Sequence, residues 1–262
     1  MNPIKVRILY GLLSVLTVFC LALSGQVGGQ VSSGGVAAPA GDTFCSTCTG
    51  SGTSPSFCWE VATDTENVST DGGCVISGGD ASATANSAVD ITSAPTGKSG
   101  YAVTWSTSAD YYAFDVSSDD LVDDTAGTVV FDFYVTTFYN YTCMFMVRAL
   151  SGEDELYVEI ANTDELRLYH EGSNAGVVSA TTSGADLQLN TWYTCTAKWR
   201  TGDQSGNPTL SITANNVTAT SSTTLTAFTN QPGSGSLMIG NPGGNTNGAS
   251  VKNIKIYKAW VE

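Results

Sequence analysis

Apolar and polar residues alternate in short runs along the C-terminal half of the chain, the signature of half-buried β-strands. The clearest is Thr128 to Val135, in which Val129, Phe131, Phe133 and Val135 point one way and Asp132 and Tyr134 the other. Leu156 to Ile160 and Leu166 to Tyr169, separated by Asn162-Thr163-Asp164, read as a hairpin with Leu156, Val158, Ile160, Leu166 and Leu168 on its buried face. Trp192 to Trp199 places Tyr193, Cys195, Ala197 and Trp199 on one side, with Trp192 entering the core at the start of the strand. Leu210 to Ile212 and Ser236 to Ile239 continue the pattern. Ser250 to Tyr257 carries Val251, Ile254 and Ile256, and a slip of phase at Lys252-Asn253 predicts a bulge. No stretch holds a helical period with caps. Strands separated by Gly-, Ser- and Thr-rich turns predict an all-β, two-sheet antiparallel sandwich.

The N-terminal region follows other rules. Lys5 and Arg7 precede an uncharged run from Ile8 to Leu23, and Ala22-Leu23-Ser24 offers small residues for cleavage. Residues 1–24 therefore read as a signal peptide, too short in its apolar part for the roughly 20 residues of a membrane span. Residues 25–43 read as a flexible spacer and residues 44–262 as one domain, with a cysteine-bearing segment at its start. The expected location is extracellular or at the cell surface, with the membrane met only through the signal peptide.

Loss of the peptide takes the net charge from -14 to -16 by removing Lys5 and Arg7. Such a balance excludes nucleic acid as a partner, since phosphate contacts need clustered cations. Six of the seven cysteines follow the export signal, which argues for disulfides. Cys143 and Cys195 both fall in strand-like runs and are expected to bridge the core. Cys45, Cys48, Cys58 and Cys74 then pair in one of three orders. The spacing after Cys45 and Cys48 does not repeat as a zinc site requires.

Three segments resemble the laminin G-like, concanavalin A-like jelly-roll family in order and spacing. Ala126 to Phe133 is similar to its "G-T-hydrophobic-x-F" strand, and Asn190 to Trp199 to its strand opening on Trp. Leu237-Met238-Ile239-Gly240 through Asn253 to Tyr257 is similar to its closing strands. The resemblance covers roughly Cys58 to Val261 and implies a concanavalin A-like jelly roll, a fold that hosts lectins, adhesion modules, glucanases and structural parts. The glucanase motif "E-x-D-x-x-E" is absent: Glu155 and Glu159 share a face, but Tyr157 stands between them. His170 reads as a surface or turn histidine, and no G-x-S-x-G elbow exists, so no catalytic residues are assigned.

With the aliphatic residues inward, Asp132, Tyr134, Tyr157, Glu159, Arg167 and Tyr169 point outward and form the candidate ligand face. Tyrosine rings stack on sugar C–H faces while charged heads read hydroxyls. A second candidate, for calcium, is Asp119, Asp120, Asp123 and Asp124, although their spacing is not that of an EF-hand. The expected function is a non-catalytic module that binds glycans or surface polymers, or mediates adhesion. The alternative is a structural subunit of an extracellular assembly, whose partners are copies of itself.

Overall fold

The computed structural model describes residues 44–45, 47–76, 82–114, 121–123, 125–138, 141–149, 155–161, 164–172, 176–202, 204–226, 232–243 and 248–262. The expected signal peptide and spacer lie outside these residues, as do Asp119, Asp120 and Asp124. The described residues contain β-strands and no helix, so none is present there to cross a membrane. In chain order the strands are β1 (Phe57–Trp59), β2 (Cys74–Val75), β3 (Thr84–Asn86), β4 (Asp90–Ser93), β5 (Tyr101–Trp105), β6 (Asp110–Phe114), β7 (Ala126–Val135) and β8 (Thr142–Ala149). They continue with β9 (Glu155–Ile160), β10 (Leu166–Gly172), β11 (Gly176–Thr181), β12 (Trp192–Arg200), β13 (Leu210–Ala214), β14 (Val217–Ser221), β15 (Pro232–Asn241) and β16 (Ala249–Tyr257).

They form two antiparallel sheets. One runs β14-β13-β12-β7-β16-β1-β2, with β5 also on β16 and β4 on β5; the other runs β11-β10-β9-β8-β15-β6-β3. Neighbours in space are often distant in sequence, as in a jelly roll, and the two-sheet sandwich expected from the alternation is present. The bulge at Lys252-Asn253 is also present. There β16 changes partner, pairing β5 over Ala249–Val251 and β1 over Ile254–Ile256, and its register against β7 shifts between Lys252 and Lys255. Asn253 takes a positive φ of 54°, which an Asn tolerates better than a branched residue would.

Aromatic pairs join the two inner faces. Phe57 meets Phe114 edge-on at 5.2 Å, Trp59 meets Tyr112 at 6.3 Å, and Phe131 stacks on Phe145 at 6.5 Å. Val129, Phe131 and Phe133 of β7 and Cys195, Ala197 and Trp199 of β12 are buried as predicted. Gly127 sits directly beneath Trp199: a Cβ there would stand 2.0 Å from the indole Cζ2. The chain thus leaves room for the indole by omitting a side chain.

Three expectations fail. Cys143 and Cys195 are unlinked thiols, while Cys45–Cys58 and Cys48–Cys74 are the bridges. Alternation explains this: Cys195 faces the core from β12, whereas Cys143 packs with Met146 and Met238 on the outer side of the opposite sheet. The two bridges instead fasten the N-terminal segment to β1 and β2, where Cys58 lies directly across from Cys74. Trp192 is outside the core and tilts over Tyr134 at 5.3 Å. His170 is buried rather than at a turn, because β10 runs on past Tyr169 and His170 keeps the inward parity of Leu166 and Leu168.

Candidate functional site

The structure divides the six candidate residues between the two outer faces. Asp132 and Tyr134 belong to β7, on the nine-stranded sheet, and both are covered. The loop between β4 and β5 lies over them: Lys98 Nζ meets Asp132 at 2.9 Å, Trp192 Nε1 donates to the Pro95 carbonyl at 3.2 Å, and Lys252 Nζ donates to the Ser99 carbonyl at 2.6 Å. Asp132 also accepts from Thr194 Oγ1 and Asn253 Nδ2, each at 2.6 Å. A carboxylate so fully engaged fastens a loop and has little left for a ligand.

Tyr157, Glu159, Arg167 and Tyr169 come together on the outer face of the other sheet. In the β9/β10 register Tyr157 is opposite Tyr169, Glu159 is opposite Arg167 and Glu155 is opposite Glu171. The two tyrosine rings stack at 4.3 Å with planes 20° apart. Arg167 bonds Glu159 Oε1 through Nε at 2.7 Å and through a second, closer contact from its terminal nitrogen. Its guanidinium also lies 5.4 Å from the ring centres of both Tyr169 and Tyr141. Cation and rings attract through the ring quadrupole, which orders the set Tyr141, Arg167, Tyr169 and Tyr157.

Strand β8 completes the face. Its register places Met146 opposite Tyr157 and Cys143 opposite Glu159, and Met146 in turn lies opposite Met238 of β15. A hollow of about 220 Å³ opens there, lined by Tyr141, Cys143, Met146, Glu155, Tyr157, Glu159 and Gly243. Sequence reading missed Tyr141, Cys143, Met146 and Glu155 as members of the site. Glu155 was legible as sharing the Glu159 face. Tyr141 was not, because it owes its position to a left-handed backbone (φ 67°) and the bond from its N–H to the Ile160 carbonyl at 2.7 Å. For a bulky residue that conformation costs roughly 1–2 kcal/mol. Tyr141 is nonetheless 51% exposed over Arg167, a large ring held open to solvent.

Electrostatics mark the same spot. Burial pushes the Glu159 carboxyl above its ordinary 4.5 although Arg167 opposes it. Burial and the Glu159 charge push the Tyr157 hydroxyl well up, and burial with the Glu171 bond raises that of Tyr169. Burial, aided by Glu159, keeps the Cys143 thiol protonated. Perturbed groups gathered round a hollow are what binding sites show.

Of the calcium candidates, only Asp123 is described. Its Oδ1 accepts from Thr125 N and Thr125 Oγ1 at 2.7 and 2.6 Å, the bonds of a turn. A hollow on the outer face of the nine-stranded sheet, about 400 Å³, is lined mainly by Thr128, Thr196, Thr213, Lys198 and Tyr257 and offers a single ring.

No protein-family model and no curated protein matches the chain. Among solved structures it is similar to the binding domain of Paraclostridial Mosquitocidal Protein 1, at TM-score 0.57 and 10% identity over 79% of this chain and 49% of that one. It is also similar to the binding domain of botulinum neurotoxin serotype D, at TM-score 0.50 and 10% identity over 69% of this chain and 44% of that one. The chain thus spans about half the length of these relatives. At such identities the likeness is one of fold, and it agrees with the two-sheet β-sandwich described above.

Proposed function

We propose that this chain is an extracellular, non-catalytic binding module of the laminin G-like type, and that it takes a carbohydrate on the outer face of β8, β9 and β10. The observation that carries the reading is the Tyr157–Tyr169 stack, with Arg167 and Glu159 beside it and the hollow next to it. Flat amphipathic rings with oriented charged heads suit a ligand that has apolar C–H faces and many hydroxyls. The fold-mates named above are themselves called binding domains, which agrees with this reading.

A glycosidase is less well supported. Glu155 and Glu159 lie four residues apart on one strand, about 13 Å along it. Each is tied to its own arginine, Glu155 to Arg148 at 2.7 Å and Glu159 to Arg167. Export is supported by the two disulfides, which belong to oxidising compartments. Cleavage near Gly25 is part of the proposal.

A glycan array with wild-type protein, Tyr157→Ala, Tyr169→Ala and Trp260→Ala tests it. Trp260 lies beside Lys198 and Arg200 of β12, away from the site, and serves as control. Discrete hits that survive Trp260→Ala and fall at least tenfold in both tyrosine variants, about 1.4 kcal/mol, support the reading. An array without hits, or hits indifferent to both tyrosines, would overturn it.

A further inference from the structure

Asp132 is the meeting point of three parts of the chain that are far apart in sequence. It stands within β7, Asn253 sits in the bulge of β16, and Lys98 reaches over from the loop between β4 and β5. Lys98 Nζ and Asn253 Nδ2 both contact the same oxygen, Asp132 Oδ2, at 2.9 and 2.6 Å. Thr194 Oγ1 donates to the other oxygen, Oδ1, at 2.6 Å and so fixes the carboxylate. An amine and a carboxamide are thereby held side by side on one carboxylate.

The surroundings set this group apart from a surface ion pair. The side chain of Asp132 is only 9% exposed, and the loop that covers it is itself pinned by Trp192 and Lys252 through the Pro95 and Ser99 carbonyls. Lys252 is buried beside it. Burial, and the charge of Lys98, bring the Lys252 ammonium below its ordinary 10.5, against the pull of Glu60, Asp132 and Asp71. Two amines thus crowd one covered carboxylate, and like charges brought together favour the release of a proton.

We propose that Lys98 and Asn253 join in an intramolecular isopeptide bond, with Asp132 moving the protons. Asp132 takes a proton from the Lys98 ammonium, and the freed amine adds to Asn253 Cγ, whose carbonyl π electrons move onto Oδ1. Asp132 then returns its proton to Nδ2 and takes the second proton from the attacking nitrogen. The carbonyl re-forms, the Cγ–Nδ2 bond breaks, and ammonia leaves, carrying the proton from Asp132 away as ammonium. No oxidant or cofactor is needed. Holding the two groups together supplies the proximity that such a reaction lacks in solution, and the cover limits competition from water. The product ties the β4–β5 loop to β16 by a bond that, unlike the two disulfides, survives reductant. It lies on the nine-stranded sheet and is independent of the carbohydrate reading.

Mass spectrometry of the purified protein, reduced and denatured, tests this. The expected mass is that of the mature sequence less one ammonia, and a digest should contain one branched peptide joining Lys98 to Asn253. Lys98→Arg keeps a cation on Asp132 but offers no nucleophilic amine. Asn253→Gly suits the left-handed backbone but removes the carboxamide. Each should regain the full mass of its own sequence and melt below wild type, and Asp132→Asn should also leave the bond unformed. The branched peptide of the wild type decides the matter even where a variant fails to fold. Full mass in the folded wild type would overturn the proposal. So would loss of one water with Lys98 joined to Asp132, or a loss of ammonia that persists in Lys98→Arg.

Discussion

At the scale of single residues, the core around Trp199 is the most constrained point. The indole is fully buried, donates from Nε1 to the Asp123 carbonyl at 3.1 Å, and fills the space that Gly127 leaves. Trp199→Ala should cost about 3–5 kcal/mol, a large share of a typical stability of about 5–15. Gly127→Ala should also destabilise, since the new methyl has nowhere to go without moving the ring. Thermal melting of both variants checks this, and a melting point within a few degrees of wild type in either would contradict the packing. Alternation made the inward facing of Trp199 and the outward facing of Tyr157, Arg167 and Tyr169 readable from the sequence. It failed at His170 because the strand was ended too early, and at Trp192 because an aromatic at a strand start can lie over either face.

At the scale of elements, the strands with clean alternation were legible: β7, β9, β10, β12 and the bulged β16. β6 was not, because Tyr111 and Tyr112 put the same residue type on both faces and its first buried side chain is Asp110. That carboxylate holds the entrance to β6, accepting from Ala88 N at 3.0 Å, Thr107 N at 2.9 Å and Thr107 Oγ1 at 2.6 Å. Burial alone would raise its pKa, but the bonds from Thr107, Ala88 and Ser87 together outweigh burial and bring it below the ordinary 3.8. A depressed native pKa adds stability that is complete above 3.8 and is lost as pH falls through the lower native value. Asp110→Asn should therefore melt below wild type at pH 7, and the gap should close in more acidic solution. Melting curves at pH 7 and pH 2 check this; a gap that stays constant would show that Asp110 does not carry the pH dependence.

At the scale of the whole molecule, the sequence pattern sorted residues into inward and outward but could not say on which sheet they lie. That is why Asp132 and Tyr134 were grouped with four residues that sit on the opposite side of the sandwich. The expected Cys143–Cys195 bridge failed for a related reason, since one side chain faces the core and the other an outer face. The fold therefore predicts two free thiols. Denatured without reductant it should take up two alkyl groups, at Cys143 and Cys195, and in the native state it should take up none, because both are buried and burial holds both thiols protonated. Intact mass decides, and no uptake after denaturation would restore the bridge. Reduction should add the other four cysteines and weaken the fold, typically by about 2–5 kcal/mol per native disulfide.

The central claim is that the β8-β9-β10 face, and not the opposite one, receives the ligand. The methionines report on this directly: Met146 lies opposite Tyr157 and Met238 opposite Met146 on that face, while Met144 is buried in the core. With methyl-labelled methionine, titration with the strongest glycan of the array should shift the Met146 resonance first and furthest, move Met238 less, and leave Met144 in place. Saturable glycan binding that leaves Met146 unmoved while the indole signal of Trp192 on the opposite face shifts would contradict the account.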